Sequence, residues 1–184
     1  MDARDQIRKI KELQRYVNTE LPILASRVLA QDLVALVTNR VVQRGENFRG
    51  GKFSPYSTKT VPAFRFWGLS RTQSAEKKVR QLSRQKSVLT YQRFRQINNL
   101  KTGVKNFEFT GEMWRKFGIV RNNSGNGNFS ISIGGTTTAS QKKIDDNSKR
   151  EGLSIIEASE KEKNLVQQTA LGWITRQANR ILGE

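Results

Sequence analysis

Between residues 40 and 105 the chain sets sixteen Lys/Arg against only two acids, Glu46 and Glu76. That stretch carries +14, which leaves +3 of the chain's net +17 for everything else. Like charges at this density repel one another and stay solvated, so this third of the chain cannot supply most of a core. Apolar residues make up 35% of the whole, below the ~45–50% of an ordinary globular domain. A core has to come from the flanks, and part of the middle has to lie on a surface or on a partner.

The flanks carry the required periodicity. Ile7, Ile10, Leu13 and Val17 recur at helical spacing over residues 3–18. Pro22 then interrupts the hydrogen-bond ladder. Two arrangements fit: a second helix capped by Thr19, or one long helix kinked at Pro22. Either buries Leu21, Leu24, Val28, Leu29, Leu33, Leu36, Val37 and Val41 and stops at Gly45. At the other end, Ser159 with Glu162 makes a capping box, and Val166, Ala170, Trp173 or Ile174, Gln177 and Ile181 follow at helical spacing. This predicts a helix over 160–182. Between the flanks, "KFGIVR" and "NFSISIGG" alternate around the turn-rich "NNSGNG", which predicts a β-hairpin. The polar run "TTTASQKKIDDNSKREG" predicts a loop or a short helix.

The basic middle divides in two. Residues 46–71 have loop composition, with aromatics interleaved among positive charges in "NFRGGKFSPYSTKTVPAFRFWG". Residues 74–97 place Val79, Leu82, Leu89 and Phe94 among many cations, the pattern of a weak, self-repelling helix. The expected fold class is therefore α+β. N-terminal and C-terminal helices pack on a small antiparallel sheet, and a long extended basic arm leaves the body. One domain spans 1–184, divided into a helical region (1–45), the arm (46–105), and a hairpin with the last helix (106–184).

The chain has neither Cys nor His. That removes disulfides, thiolate metal sites and every catalytic arrangement built on imidazole. The neighbouring Asp145 and Asp146 cannot share a helix face, and Glu157, Glu160 and Glu162 surround a helix start, where the macrodipole favours negative charge. Neither glycine-rich stretch has the GxxxxGK pattern of a phosphate loop. These observations predict no enzyme activity, no cofactor and no metal. The longest nearly apolar run, "LVALV" at 33–37, is far short of the ~20 residues a membrane span needs, so no membrane association is expected.

Two uses of the basic tract remain. Its cations can neutralise phosphates while aromatics stack on bases. Alternatively its aromatics anchor a segment on another protein subunit, since aromatics and Arg dominate such interfaces. No nucleic-acid-binding motif appears, so subunit contact is favoured. The candidate contact residues are Phe48, Phe53, Tyr56, Phe64, Phe66 and Trp67. The cations available to DNA or to an acidic partner are Arg49, Lys52, Lys59, Arg65, Arg71, Lys77, Lys78, Arg80, Arg84, Lys86, Arg93 and Arg95.

Four stretches, "TNRVVQRGENFRGGKFSPYSTKT", "FEFTGEMWRKFGIV", "FSISIGG" and "REGLSIIEASEKEKNLV", follow one another in an order that resembles the tail-completion, or neck, proteins of tailed bacteriophages, in the broad virion-morphogenesis family. In that family a helix leads into an extended glycine-bearing segment, a Thr-Gly-hydrophobic turn leads into a strand, and a Ser-capped helix ends the order. Residues 72–100 are longer and more basic than the family pattern. The resemblance implies a structural virion protein with no catalytic residues. It would form a homo-oligomeric ring between the portal or adaptor and the tail tube, with non-specific contact to genomic DNA at most. It would be made in the host cytoplasm and located in the virion neck. The alternative is a non-enzymatic nucleic-acid-binding protein that uses the 40–105 tract.

Overall fold

A computed structural model describes residues 2–108, 111–125 and 128–183. Helix α1 (Ala3–Arg15) runs through a π turn (Tyr16–Glu20) into α2 (Leu21–Thr38) and a second π turn (Asn39–Arg44). Of the two sequence readings, the continuous helix is the one found, with its halves bent by 42°. Pro22 has no N–H to give to the ladder, and the wider turn just before it accommodates the loss. Gly45 ends the run at φ +63, a left-handed conformation that glycine adopts without strain. A Cβ there would also stand 2.8 Å from the Val104 Cβ.

After a short helix, α5 (Glu112–Arg115), the hairpin forms as expected, from β3 (Phe117–Gly125) and β4 (Asn128–Gly135), with a bulge between Ile119 and Arg121. Asn126 and Gly127 of the expected turn, and Phe109 and Thr110 of the Thr-Gly-hydrophobic turn, lie outside the described residues. The polar run at 136–152 is a helix, α6 (Thr138–Glu151), held by a capping box at Thr137 and Ser140 and pinned by buried Ile144. The last helix, α7 (Glu160–Leu182), begins at the expected Ser159/Glu162 capping box. Helix α2 packs against both hairpin strands and α7. The body core gathers Val37, Val41, Phe53, Met113, Phe117, Ile144 and Ile155. Burial of each large side chain there contributes ~1.5–3 kcal/mol.

β4 meets α6 with no room to spare. A Cβ on Gly135 would collide with the Gln141 amide nitrogen, and it would stand 2.5 Å from Ser140 Oγ and 2.7 Å from Gln141 Cα. Backbone cannot swing aside as a long side chain can. Gly135→Ala is expected to lower stability by ~1–3 kcal/mol, the usual cost of overpacking, in a chemical denaturation series. An unchanged midpoint would show that the β4–α6 junction is looser than described.

The basic middle is not an extended arm. Residues 60–100 fold into a small unit with its own core. Strand β1 (Thr60–Pro62) pairs antiparallel with β2 (Val88–Thr90), and a 3₁₀ turn (Ala63–Phe66) follows β1. Helices α3 (Gln73–Arg84) and α4 (Tyr91–Ile97) are capped by the hydroxyls of Thr72 and Thr90. The single helix expected over 74–97 is thus two helices separated by a strand. Lys86 turns the chain at φ +52, and "VLT" has the β-branched content of a strand. Ala63, Phe66, Val79, Leu89 and Phe94 form this second core, with the Phe66 and Phe94 rings stacked at 4.4 Å.

Candidate interaction surface

The basic unit is joined to the body through a buried polar junction. Arg95 is 1% exposed. Its Nε donates to Lys101 O at 3.0 Å, one terminal nitrogen donates to Glu108 O at 2.5 Å, and the other donates to Asn106 Oδ1 at 3.0 Å. Its guanidinium carbon lies 4.1 Å from the centre of the Tyr56 ring. The Tyr56 hydroxyl donates to Asn106 Oδ1 and accepts from the Asn106 amide. Burial pushes that phenol above its usual pKa, so it stays a protonated donor. Trp114 Nε1 closes the set by donating to Asn106 O.

A second buried arginine holds the two ends of the body together. Arg40 Nε donates to Glu162 at 2.9 Å, with both side chains under a tenth exposed. Its terminal nitrogens donate to Glu46 O and Glu157 O. The other Glu162 oxygen accepts from the Ser159 amide, so one carboxylate both caps α7 and neutralises Arg40. Glu162 is therefore more than the cap expected of it. The available signal was Arg40 itself, which sits three residues after Val37 and one before Val41 on an apolar stripe. Neither Asn106 nor Arg95 has a comparable signal. A third tie links Lys105 to Glu151 at 2.5 Å, and Glu151 also accepts from Ser54.

These positions correct several expected contacts. Phe53, Tyr56 and Phe66 are buried inside the chain, Phe53 in the body core and Phe66 in the basic unit. They cannot anchor on a neighbour in this conformation. Phe48 is half-buried, with the Arg49 guanidinium 5.1 Å from its ring. Phe64 and Trp67 are the two candidates left outside, at 55% and 51% exposed, and Leu69 beside them is 52% exposed. Among the cations, Arg95 is not available to DNA or to any partner. The other eleven of the set, from Arg49 to Arg93, are exposed.

What the structure brings together is a cationic groove with an apolar lip. Residues 60–100 hold nine Lys/Arg against Glu76 alone, a net charge of +8. A groove of about 900 Å³ runs between α3 and the loop that enters it, lined by Arg71, Lys77, Arg80 and Arg84 among others. Gly68 lies on its edge, next to Trp67, and the Arg80 guanidinium stands 6.0 Å from the Trp67 ring. Among the described residues no three carboxylates cluster closely enough to hold a metal ion.

No family model, curated relative or solved structure matches the chain. The chemistry of this surface has to be read from its own residues.

Glu76 shapes the groove. Both of its oxygens accept from the Gly68 amide, at 3.1 and 3.2 Å, and Oε1 accepts from Arg80 Nε at 2.9 Å. Burial pushes the Glu76 carboxyl up, but the Gly68 amide and Arg80 outweigh it and hold the group below the usual carboxylate range. A lowered folded-state pKa contributes stability above the ordinary carboxylate pKa, and that stability is lost as pH falls through the folded value. The melting temperature of Glu76→Gln should therefore lie below that of the parent at neutral pH, and the gap should close in acid. A gap that persists into strong acid would contradict this.

Proposed function

We propose that the chain is a structural subunit of a tailed-phage neck, of the tail-completion kind, which assembles as a ring between head and tail. Closed rings satisfy head-to-tail contacts without leaving one open. The observation that carries the reading is the sequence order. A long helix leads into a glycine-bearing segment, a hairpin follows, and a Ser-capped helix ends the chain. The long helix supplies surface for such contacts: α1 buries none of its residues, and Ile7 and Ile10 are each more than half exposed. The basic unit is then an elaboration on this body and offers a second contact surface.

The test is complementation. In a phage that encodes this chain, stopping its synthesis should leave filled heads and finished tails unjoined, and adding the purified protein should restore joined particles in electron micrographs. Joined particles in its absence would refute the reading. A second reading, nucleic-acid binding, is favoured by the +8 charge of residues 60–100. It differs in requiring affinity for DNA that falls steeply with salt.

A further inference from the structure

We propose that the groove beside α3 seats an acidic, amphipathic segment of a partner protein, with Trp67 as the apolar anchor. This rests on the reading of the basic unit as a protein-contact surface, and it stands whether or not the partner is a neck protein. Charge sets the sign of the partner. Arg71, Lys77 and Arg84 line the groove and are exposed. The only acid in the unit, Glu76, also lines the groove, where its carboxylate pairs with Arg80 and accepts from the Gly68 amide, and Arg71, Lys77 and Arg84 leave the groove net positive.

The apolar lip sets the class. Phe64, Trp67 and Leu69 lie within six residues and are all more than half exposed. A nucleic-acid backbone would meet the cations and leave these three side chains wet. A nucleobase gains from a free aromatic face, but Arg80 stands against the Trp67 ring and Leu69 offers no ring at all. An acidic segment with apolar residues on one side satisfies both halves, with aromatics at the centre and arginines around them. Trp67 gains most from burial, because it is the largest side chain and its guanidinium neighbour is already in place.

The full-length chain can be titrated against three labelled probes by fluorescence anisotropy. One is a helix-forming peptide of about sixteen residues with Glu on one face and Leu and Phe on the other. The second is a scrambled peptide of the same composition, and the third is a duplex DNA of similar charge. The amphipathic peptide should bind more tightly than the scrambled one and the DNA. Trp67→Ala and Arg84→Glu should each weaken it by about tenfold or more, as expected for loss of a central anchor or reversal of a rim charge. Phe64→Ala should act in the same direction. All three positions are exposed, so melting temperatures should stay at the parent value, and a variant that melts early is replaced by the other two. Failure of the amphipathic peptide to bind would overturn the proposal. So would equal binding of the scramble, or tighter binding of DNA that ignores Trp67→Ala. None of these outcomes bears on ring formation, which is read separately from mass.

Discussion

Arg40→Met is expected to lower the folding free energy by about 3–5 kcal/mol, the usual consequence of leaving one partner of a buried ion pair uncompensated. Glu162 would keep its charge at 8% exposure with only the Ser159 amide left to it, and the carbonyls of Glu46 and Glu157 would each lose a donor. Because the three acceptors belong to the loop after the long helix and to the start of α7, the damage should appear as global unfolding. The double variant Arg40→Met with Glu162→Gln should recover part of the loss. Gln can serve the capping box and carries no charge to bury. Chemical denaturation of the parent, both single variants and the double closes the thermodynamic cycle. If the two single losses simply add, the pair is not coupled and the description of this junction is wrong.

The second large effect is expected at Arg95. Met at this position would fit the stem but take the Arg95 donor from Lys101 O and Glu108 O, while Asn106 Oδ1 would keep the Tyr56 hydroxyl and the Glu108 amide. Each buried unsatisfied acceptor costs about 1–3 kcal/mol, and the two together should cost roughly 2 kcal/mol or more. The location of the effect separates it from the Arg40 variant. Arg95 ties residues 60–100 to the segment at 101–108, so hydrogen exchange should speed up first in β1, β2 and α4 while the β3–β4 hairpin stays protected. Arg93→Met, two residues away and exposed, should change stability by no more than about 0.5 kcal/mol. Equal effects at the two positions would show that Arg95 is not the tie it is described as.

These two arginines also mark where the sequence stops being readable. The parts set by local rules were legible. Ser159 and Glu162 announce α7, Gly45 announces the end of the long helix, and "KFGIVR" with "NFSISIGG" announces the hairpin. Each of those signals spans a few residues and depends on backbone chemistry alone. The basic tract was misread because its order comes from pairings that sequence spacing does not display. Thr60 pairs with Thr90 across thirty residues, and Phe66 finds Phe94 only once that pairing exists. Charge counting then suggested solvation for every cation, whereas Arg40 and Arg95 are buried through donors that match carbonyls distant in sequence. Of the six aromatics expected to contact a partner, the cores took Phe53 and Phe66, the junction took Tyr56 and Phe48 is half-buried, leaving Phe64 and Trp67 on the surface. The site was legible as a region but not residue by residue.

The mass of the purified protein in solution, by light scattering at moderate and high salt with and without short duplex DNA, bears most directly on the proposed role. A ring-forming structural subunit should show a multiple of the 21.0 kDa chain mass that is the same with and without DNA. A single chain that binds the duplex stoichiometrically, and releases it as salt rises, would contradict the structural reading and make the basic unit a nucleic-acid site.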